Sequence, residues 1–209
     1  MTEPTYQTFD ELLDGALSNP AAEAELRRRY NQTAAIVVVD FTSMVKRSDA
    51  DGIIYALALA RRAEVTMRPA VDAAGGEIVK RVADSWFAVF PSPQAALDAV
   101  LGGLDALQKF NAPRTGALGD GTRSEPIFGC VGIGWGHMLV VPGRDVFGEE
   151  VNRAFVLGED TANASEILCT PAFLEGLGAL PVGIGTHEAP ADRIEETGFP
   201  FQVLGDYRE

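Results

Sequence analysis

The stretch "EIVKRVADSWFAVF", residues 77–90, places Lys80 and Asp84 four positions apart among β-branched, aromatic and aliphatic residues. An ordinary core hairpin would hold neither charge. A second acid, Asp40, ends the apolar run "AAIVVVD", residues 34–40. A short continuous run rich in valine predicts a buried strand. If that strand neighbours the second arm of the hairpin, where Asp84 is expected, the two carboxylates reach one point. Close carboxylates repel unless a cation lies between them. Hard oxygen ligands at a strand end suit Mg²⁺ or Mn²⁺ carrying phosphates. Spacing alone equally fits two solvated strand-end acids.

The elements that must position these groups follow from pattern. Residues 8–30 predict two helices broken at Asn19-Pro20, with the proline in a first turn. They are expected to form a helical brace, residues 1–33, ahead of a domain spanning 34–209. Residues 50–73 predict a helix whose apolar face is built from Ile54, Leu57, Ala58, Val65 and Met67. Residues 92–110 predict another, capped by Ser92 with Pro93 at its first position. Residues 111–126 have loop composition, and 127–141 read as a strand in which Gly132, Gly134 and Gly136 alternate. No helix opens directly behind these glycines, so they predict close backbone packing rather than a phosphate loop. A helix from 148 and a strand at 165–170 follow. The order predicts an α+β fold: a mostly antiparallel central sheet on a ferredoxin-like plan, with helices on one face.

Composition narrows the partners. The chain has 209 residues, 46% hydrophobic, enough for one sizeable core. Its net charge of −13 argues against nucleic acid, which requires a basic footprint. A phosphorylated ligand remains compatible when a divalent cation supplies the positive charge. No apolar run approaches the roughly 20 residues of a membrane span. The N-terminus lacks a signal-peptide pattern, so a soluble cytoplasmic protein is expected. Cys130 and Cys169 each sit in apolar surroundings and predict buried free thiols.

Together "IVVVD", "KRVAD", "SWFAVF" and the later "DVFGEEVN", residues 145–152, resemble the catalytic domains of class III nucleotidyl cyclases, the adenylate and guanylate cyclases. The segment "SEILCTPAFLEGL", residues 165–177, is similar to the family's strand and helix after that motif, and the resemblance covers roughly 34–177. It implies that Asp40 and Asp84 bind two divalent cations, Mg²⁺ or Mn²⁺, with the carbonyl of Phe41 as a further ligand. It implies that Lys80 and Asp145 read the base edge, a pairing that favours ATP, and that Asn152 orients the ribose. Asn152 also fits a plain first-turn helix position. Backbone amides of Thr42, Ser43 and Met44 would cradle phosphates, assisted by Lys46 or Arg47. The resemblance further implies a homodimer with composite sites, in which Lys80 and Asp84 serve different sites and not each other.

Three features depart from the family. The arginine expected one helical turn after Asn152 is Val156, and Arg153 points elsewhere on the helix. The late phosphate-binding lysine has no counterpart, and Ser43 and Met44 replace a glycine and an aromatic residue. Loss of one charge-stabilising donor commonly costs about 2.7–4 kcal/mol. The resemblance therefore implies a slow adenylate cyclase making 3′,5′-cyclic AMP and pyrophosphate, with Arg153 or Arg144 as replacements for the missing arginine. The alternatives are a cyclase-homology domain that only binds nucleotide or dimerises, and a cyclase with a pyrimidine base.

Overall fold

Strand β1 (Asn31–Phe41) runs through the middle of the sheet in the computed structural model, which describes residues 8–42, 44–112 and 126–205. It pairs antiparallel with β3 (Ser85–Phe90) on one side and β4 (Gly129–Val141) on the other. β2 (Glu77–Val82) joins β3 through the two-residue turn Ala83-Asp84 and forms one edge. Beyond β4, β6 (Ile167–Cys169) runs parallel to it. Then come β8 (Gln202–Leu204) and β7 (Thr186–Glu188), giving the order β2-β3-β1-β4-β6-β8-β7. β5 (Asp145–Phe147) folds back antiparallel on the end of β4. Only the β4–β6 pairing is parallel among the described strands, so the expected mostly antiparallel α+β sheet is present.

Ala34 through Val39 are all buried, which requires a layer on each face of β1. Ala35, Val37, Val39 and Phe41 pack on one side with α4 (Ile53–Ala73) and α5 (Pro93–Asn111). Ala34, Ile36 and Val38 pack on the other with Val151 and Ala154 of α6 (Glu149–Phe155). Helices therefore lie on both faces, and the β4 glycines are the reason. A Cβ on Gly132 would lie 2.1 Å from the Ala154 carbonyl oxygen, and one on Gly134 would lie 2.8 Å from the Glu150 carbonyl. These glycines form the flat seat on which the α6 backbone rests.

The face of α4 differs from the pattern. Ile54 is 81% exposed, Leu57 48% and Val65 40%; Ala58 is exposed too, and only Met67 of the five is buried. The helix instead buries Ala56, Leu59, Ala60, Ala63, Met67 and Val71. Small residues allow α4 and α5 to approach closely: a Cβ on Gly102 would meet the Ala70 Cβ at 3.2 Å. Glu64 shares this buried face. Its carboxylate takes a bidentate pair from Arg81 of β2 at 2.7 and 2.9 Å and another contact from Arg61 at 2.8 Å. These contacts hold the hairpin edge against the helix.

Before β1, α1 (Phe9–Ala16) opens with a capping box between Thr8 and Glu11, and Asn19 caps α2 (Pro20–Tyr30). Phe9, Leu12, Ala22 and Leu26 are buried together with Val141. α3 (Met44–Asp51), α7 (Pro171–Leu177) and α8 (Ala191–Thr197) complete the described helices. Among the described residues no helix is long and apolar enough to cross a membrane. Both cysteines are buried and free, and burial pushes each thiol up to about 12.

Candidate active site

Asp40 continues the alternation of Ile36 and Val38, so its side chain emerges on the α6 face where β1 ends. Ser85, first residue of β3, donates its Oγ–H to Asp40 Oδ1 at 3.0 Å. Asp84 lies in the hairpin turn, one position before the strand in which it was expected. That turn holds Ala83 at φ 51°, a left-handed conformation more usual for glycine. Burial, and then the nearby Asp84 charge, push the Asp40 carboxyl up to about 6.

Sequence reasoning missed a third carboxylate at this point. After α6 the chain widens into a π-helical turn, Val156–Thr161, marked by the bond from Ala162 N–H to the Leu157 carbonyl at 2.8 Å. Gly158 lies flat on the sheet: a Cβ there would meet the Val38 carbonyl oxygen at 2.9 Å and Gly132 N at 3.1 Å. The next residue, Glu159, is half-buried. Burial raises its carboxyl, the Ser85 hydroxyl offsets part of that rise, and the Asp84 charge raises it further. The only signal in the sequence was Gly158 beside an acid, which reads equally as a helix end. Among the described residues no three His, Cys, Asp or Glu side chains are gathered so that they could hold a metal ion as they stand.

The other pair is assembled within one chain. Lys80 Nζ lies 3.0 Å from Asp145 Oδ1 and 3.2 Å from Oδ2, and 5.6 Å from the centroid of the Phe87 ring. Lys80 pairs opposite Phe87, while Arg81 pairs opposite Trp86 and reaches Glu64. A register shift between Ile78 and Lys80 leaves Val79 buried in the same core as Phe87. Lys80 thus has its ion pair with Asp145 and not with Asp84. Asp145 heads β5, where its Oδ1 also accepts from Val146 N–H at 2.8 Å.

Other predicted residues are placed differently. Asn152 is exposed on α6. The Arg153 guanidinium is taken by Glu149 at 2.5 Å and Glu150 at 2.9 Å, and lies 5.6 Å from the Phe199 ring centroid. Carboxylates three and four residues away on its own helix hold it. Arg144 is likewise taken, by a bidentate pair with Asp10 of α1 at 2.7 and 2.9 Å. Neither arginine pairs with Asp40 or Asp84. Phe41 is buried and Thr42 is half-buried, its N–H donating to the Phe128 carbonyl at 3.0 Å. Ser43 and the side chains of Met44, Lys46 and Arg47 lie outside the described residues.

The fold is that of adenylate and guanylate cyclase catalytic domains. An adenylate/guanylate cyclase/hydrolase from Silicibacter pomeroyi superposes with a TM-score of 0.63 at 24% identity, covering 83% of this chain and 95% of that one. The adenylyl cyclase CyaB from P. aeruginosa superposes at 0.63 with 21% identity, covering 86% and 97%. The guanylate cyclase domain of RhGC from Catenaria anguillulae, solved with GTP, gives 0.62 at 15% identity, covering 83% and 94%. No protein-family model and no curated protein matches the sequence.

Proposed function

We propose that the chain is an adenylate cyclase-like domain that converts ATP to 3′,5′-cyclic AMP and pyrophosphate with two divalent cations. The supporting observation is that Asp84, in the β2–β3 turn, lies near enough to Asp40 at the end of β1 for its charge to act on that carboxyl, with Lys80 and Asp145 joined on the hairpin edge of the same sheet. The donor set fits Mg²⁺ or Mn²⁺: half-buried carboxylates, a hydroxyl, and mutual repulsion that a cation would relieve. When bound, the cations would lower the pKa of the ribose 3′-hydroxyl and neutralise the triphosphate. Asp40 and Asp84 would hold them, with the Phe41 carbonyl as a further ligand. The 3′-hydroxyl attacks the α-phosphorus in line, and the bond to pyrophosphate breaks. Lys80 donates to adenine N1 and Asp145 accepts from the 6-amino group, so each must exchange its present partner for the base. In a homodimer the two halves would come from different subunits, with Asn152 orienting the ribose. Helices α1 and α2 act as a brace, and the domain they brace begins with β1 at Asn31, three residues before the boundary expected from the sequence.

A second reading, a domain that binds nucleotide without turning it over, is favoured by one observation. Val156 stands where charge stabilisation is expected, and Arg153 and Arg144 are committed elsewhere. A panel of nucleoside triphosphates with Mn²⁺ and product analysis separates the two. Cyclic AMP from ATP supports the first reading; tight binding without product supports the second; a cyclic pyrimidine product would redirect the base assignment.

Val156→Arg provides a sharper comparison. A guanidinium acting on charge that develops at the reacting phosphorus raises kcat with little change in KM. The expected gain is about 10-fold, below the full worth of such a donor because Glu159 would compete for it. Unchanged kcat in an already active enzyme would show that another group fills the role.

A further inference from the structure

We propose that the outer face of α4 is the seat for helix α1 of a second copy of this chain, and that two copies associate by each seating its α1 on the other's α4. The inference draws on neither the nucleotide nor the cation reading.

The seat is an apolar stripe that the fold leaves in water. Residues i, i+3, i+4 and i+7 of a helix frame a hollow that accepts one side chain of a partner helix. On α4 this gives two adjoining hollows: Ile54, Leu57, Ala58 and Arg61, then Ala58, Arg61, Arg62 and Val65. Each of these residues is exposed, while α5 packs on the alanine face behind them. The small Ala58 belongs to both hollows and leaves room in each. α4 lies on the face of the sheet opposite α6, so the stripe is separate from the face on which Asp40 emerges.

α1 carries the matching side chains. Its inner residues Phe9 and Leu12 are buried with α2 and Val141. Its outer face presents Leu13, 49% exposed, and Leu17, 91% exposed at the C-cap, with the exposed Asp14 between them. Leu13 and Leu17 are one helical turn apart, about 6 Å along the axis, and the two hollows have the same offset. α1 cannot reach the seat of its own chain, because Arg144 and Val141 hold it at the far end of β4. A second copy supplies it.

Charge sets the direction. Arg61, Arg68 and Arg81 all contact the single carboxylate of Glu64, at 2.8, 3.5 and 2.7 Å. This part of α4 therefore has positive charge to spare in a chain whose net charge is −13. Among the described residues neither Arg62 nor Asp14 forms an ion pair. The arginines occupy the later part of the stripe, and Ile53 and Ile54 begin it. On α1 the order is reversed: Asp10, Glu11 and Asp14 come first and Leu17 last. Antiparallel docking sets Leu17 in the Ile54 hollow, Leu13 in the Val65 hollow and Asp14 beside Arg62. It also brings the two helix dipoles into favourable opposition. The parallel arrangement would put Leu17 among arginines and the acids on isoleucine. A standard interface buries about 800 Å² per partner, more than one eight-residue helix supplies, so the contact is weak and works in reciprocal pairs.

The test is sedimentation velocity of the full chain up to about 100 μM, at low and high salt. The unaltered chain should associate reversibly, and less tightly at high salt. Leu17→Arg should weaken association about 10-fold or more, since it removes an apolar anchor and brings a like charge to Arg61. Leu17 makes little contact within its own chain, and an unchanged thermal melt verifies the fold. Asp14→Arg and Arg62→Asp should each weaken association. The two changes combined in one chain should restore it, because the reversed charges meet again only between copies. Failure of the combined variant to recover overturns the proposal, as does an unaltered chain that stays monomeric. A dimer formed through composite sites would keep its affinity in every variant. Association indifferent to the whole series therefore leaves the cyclase reading standing and overturns this one. Association that follows the series in a chain with no affinity for nucleotide does the reverse.

Discussion

Asp40→Asn should melt above the unaltered chain in metal-free buffer at pH 7.5 and should lose metal-dependent turnover by about 100-fold or more. The two effects share one cause. The folded protein holds the Asp40 carboxyl at about 6, against an ordinary value of 3.8, because burial and the Asp84 charge disfavour its ionised form. The unfolded chain ionises more readily, so between those values it binds fewer protons than the folded one. Metal-free stability therefore falls as pH rises from about 4 to about 6, and the full cost, on the order of 1–2 kcal/mol for a partly solvent-screened carboxylate, is present above that window. Glu159 acts in the same direction. Glu64 and Glu166 are held low by their arginines, and their contributions are lost only below the ordinary carboxylate range. Asparagine removes the ionisation and retains an oxygen for the Ser85 hydroxyl. Melts from pH 4.5 to 8, with and without Mn²⁺, check this. An asparagine variant that melts lower, or that keeps its Mn²⁺-dependent activity, would make Asp40 a structural residue.

Gly132→Ala should cost about 3 kcal/mol or more, enough to unfold a marginal domain. In a strand interior, replacing glycine with alanine ordinarily stabilises by roughly 0.5–1 kcal/mol. Here the sign reverses because the new methyl group meets backbone. It would lie 2.1 Å from the Ala154 carbonyl oxygen and 2.6 Å from Gly158 N, and neither can rotate away. α6 and the π-helical turn would have to lift together, opening the layer of Ile36, Val38, Val151 and Ala154. Gly136→Ala is the control. Its nearest neighbour is Glu150 Cγ at 3.0 Å, part of a side chain that can shift, so its cost should stay small. Urea denaturation of both variants decides the matter. Equal midpoints would mean that the helix does not rest on the strand as described.

How much of this was legible in the sequence depended on whether a feature was local. The valine run and its terminal aspartate fixed β1 and Asp40, because a strand buried on both faces leaves a continuous apolar signature. Asn19-Pro20 marked the start of α2 for a reason that holds within two residues. Lys80 and Asp145, 65 residues apart, were paired only through the resemblance, and the structure joins them. The α4 face was misjudged because periodicity identifies apolar residues but not which layer lies against them. There, close packing against α5 selected alanines over Ile54 and Leu57. Glu159 was missed because its position depends on a π-helical register and on a glycine-to-glycine contact between distant segments. Arg153 and Arg144 were open as substitutes in the sequence, and their own neighbours Glu149, Glu150 and Asp10 had already claimed them.

The acid-rich end of β1 also fixes the sign of a kinetic effect. A free triphosphate diffusing toward this chain meets a field of its own sign, from the net charge of −13 and from the carboxylates at the site itself. For most steered encounters added salt slows association, because screening removes an attraction. Here screening removes a repulsion. The Debye length shrinks from about 10 Å at 0.1 M to about 3 Å at 1 M ionic strength. The association rate of a metal-free nucleotide should therefore rise with ionic strength. Loading the site with a divalent cation first should flatten that dependence or invert it. The slope of rate against salt, measured by stopped flow, thus reports the occupancy of the carboxylates without any turnover taking place.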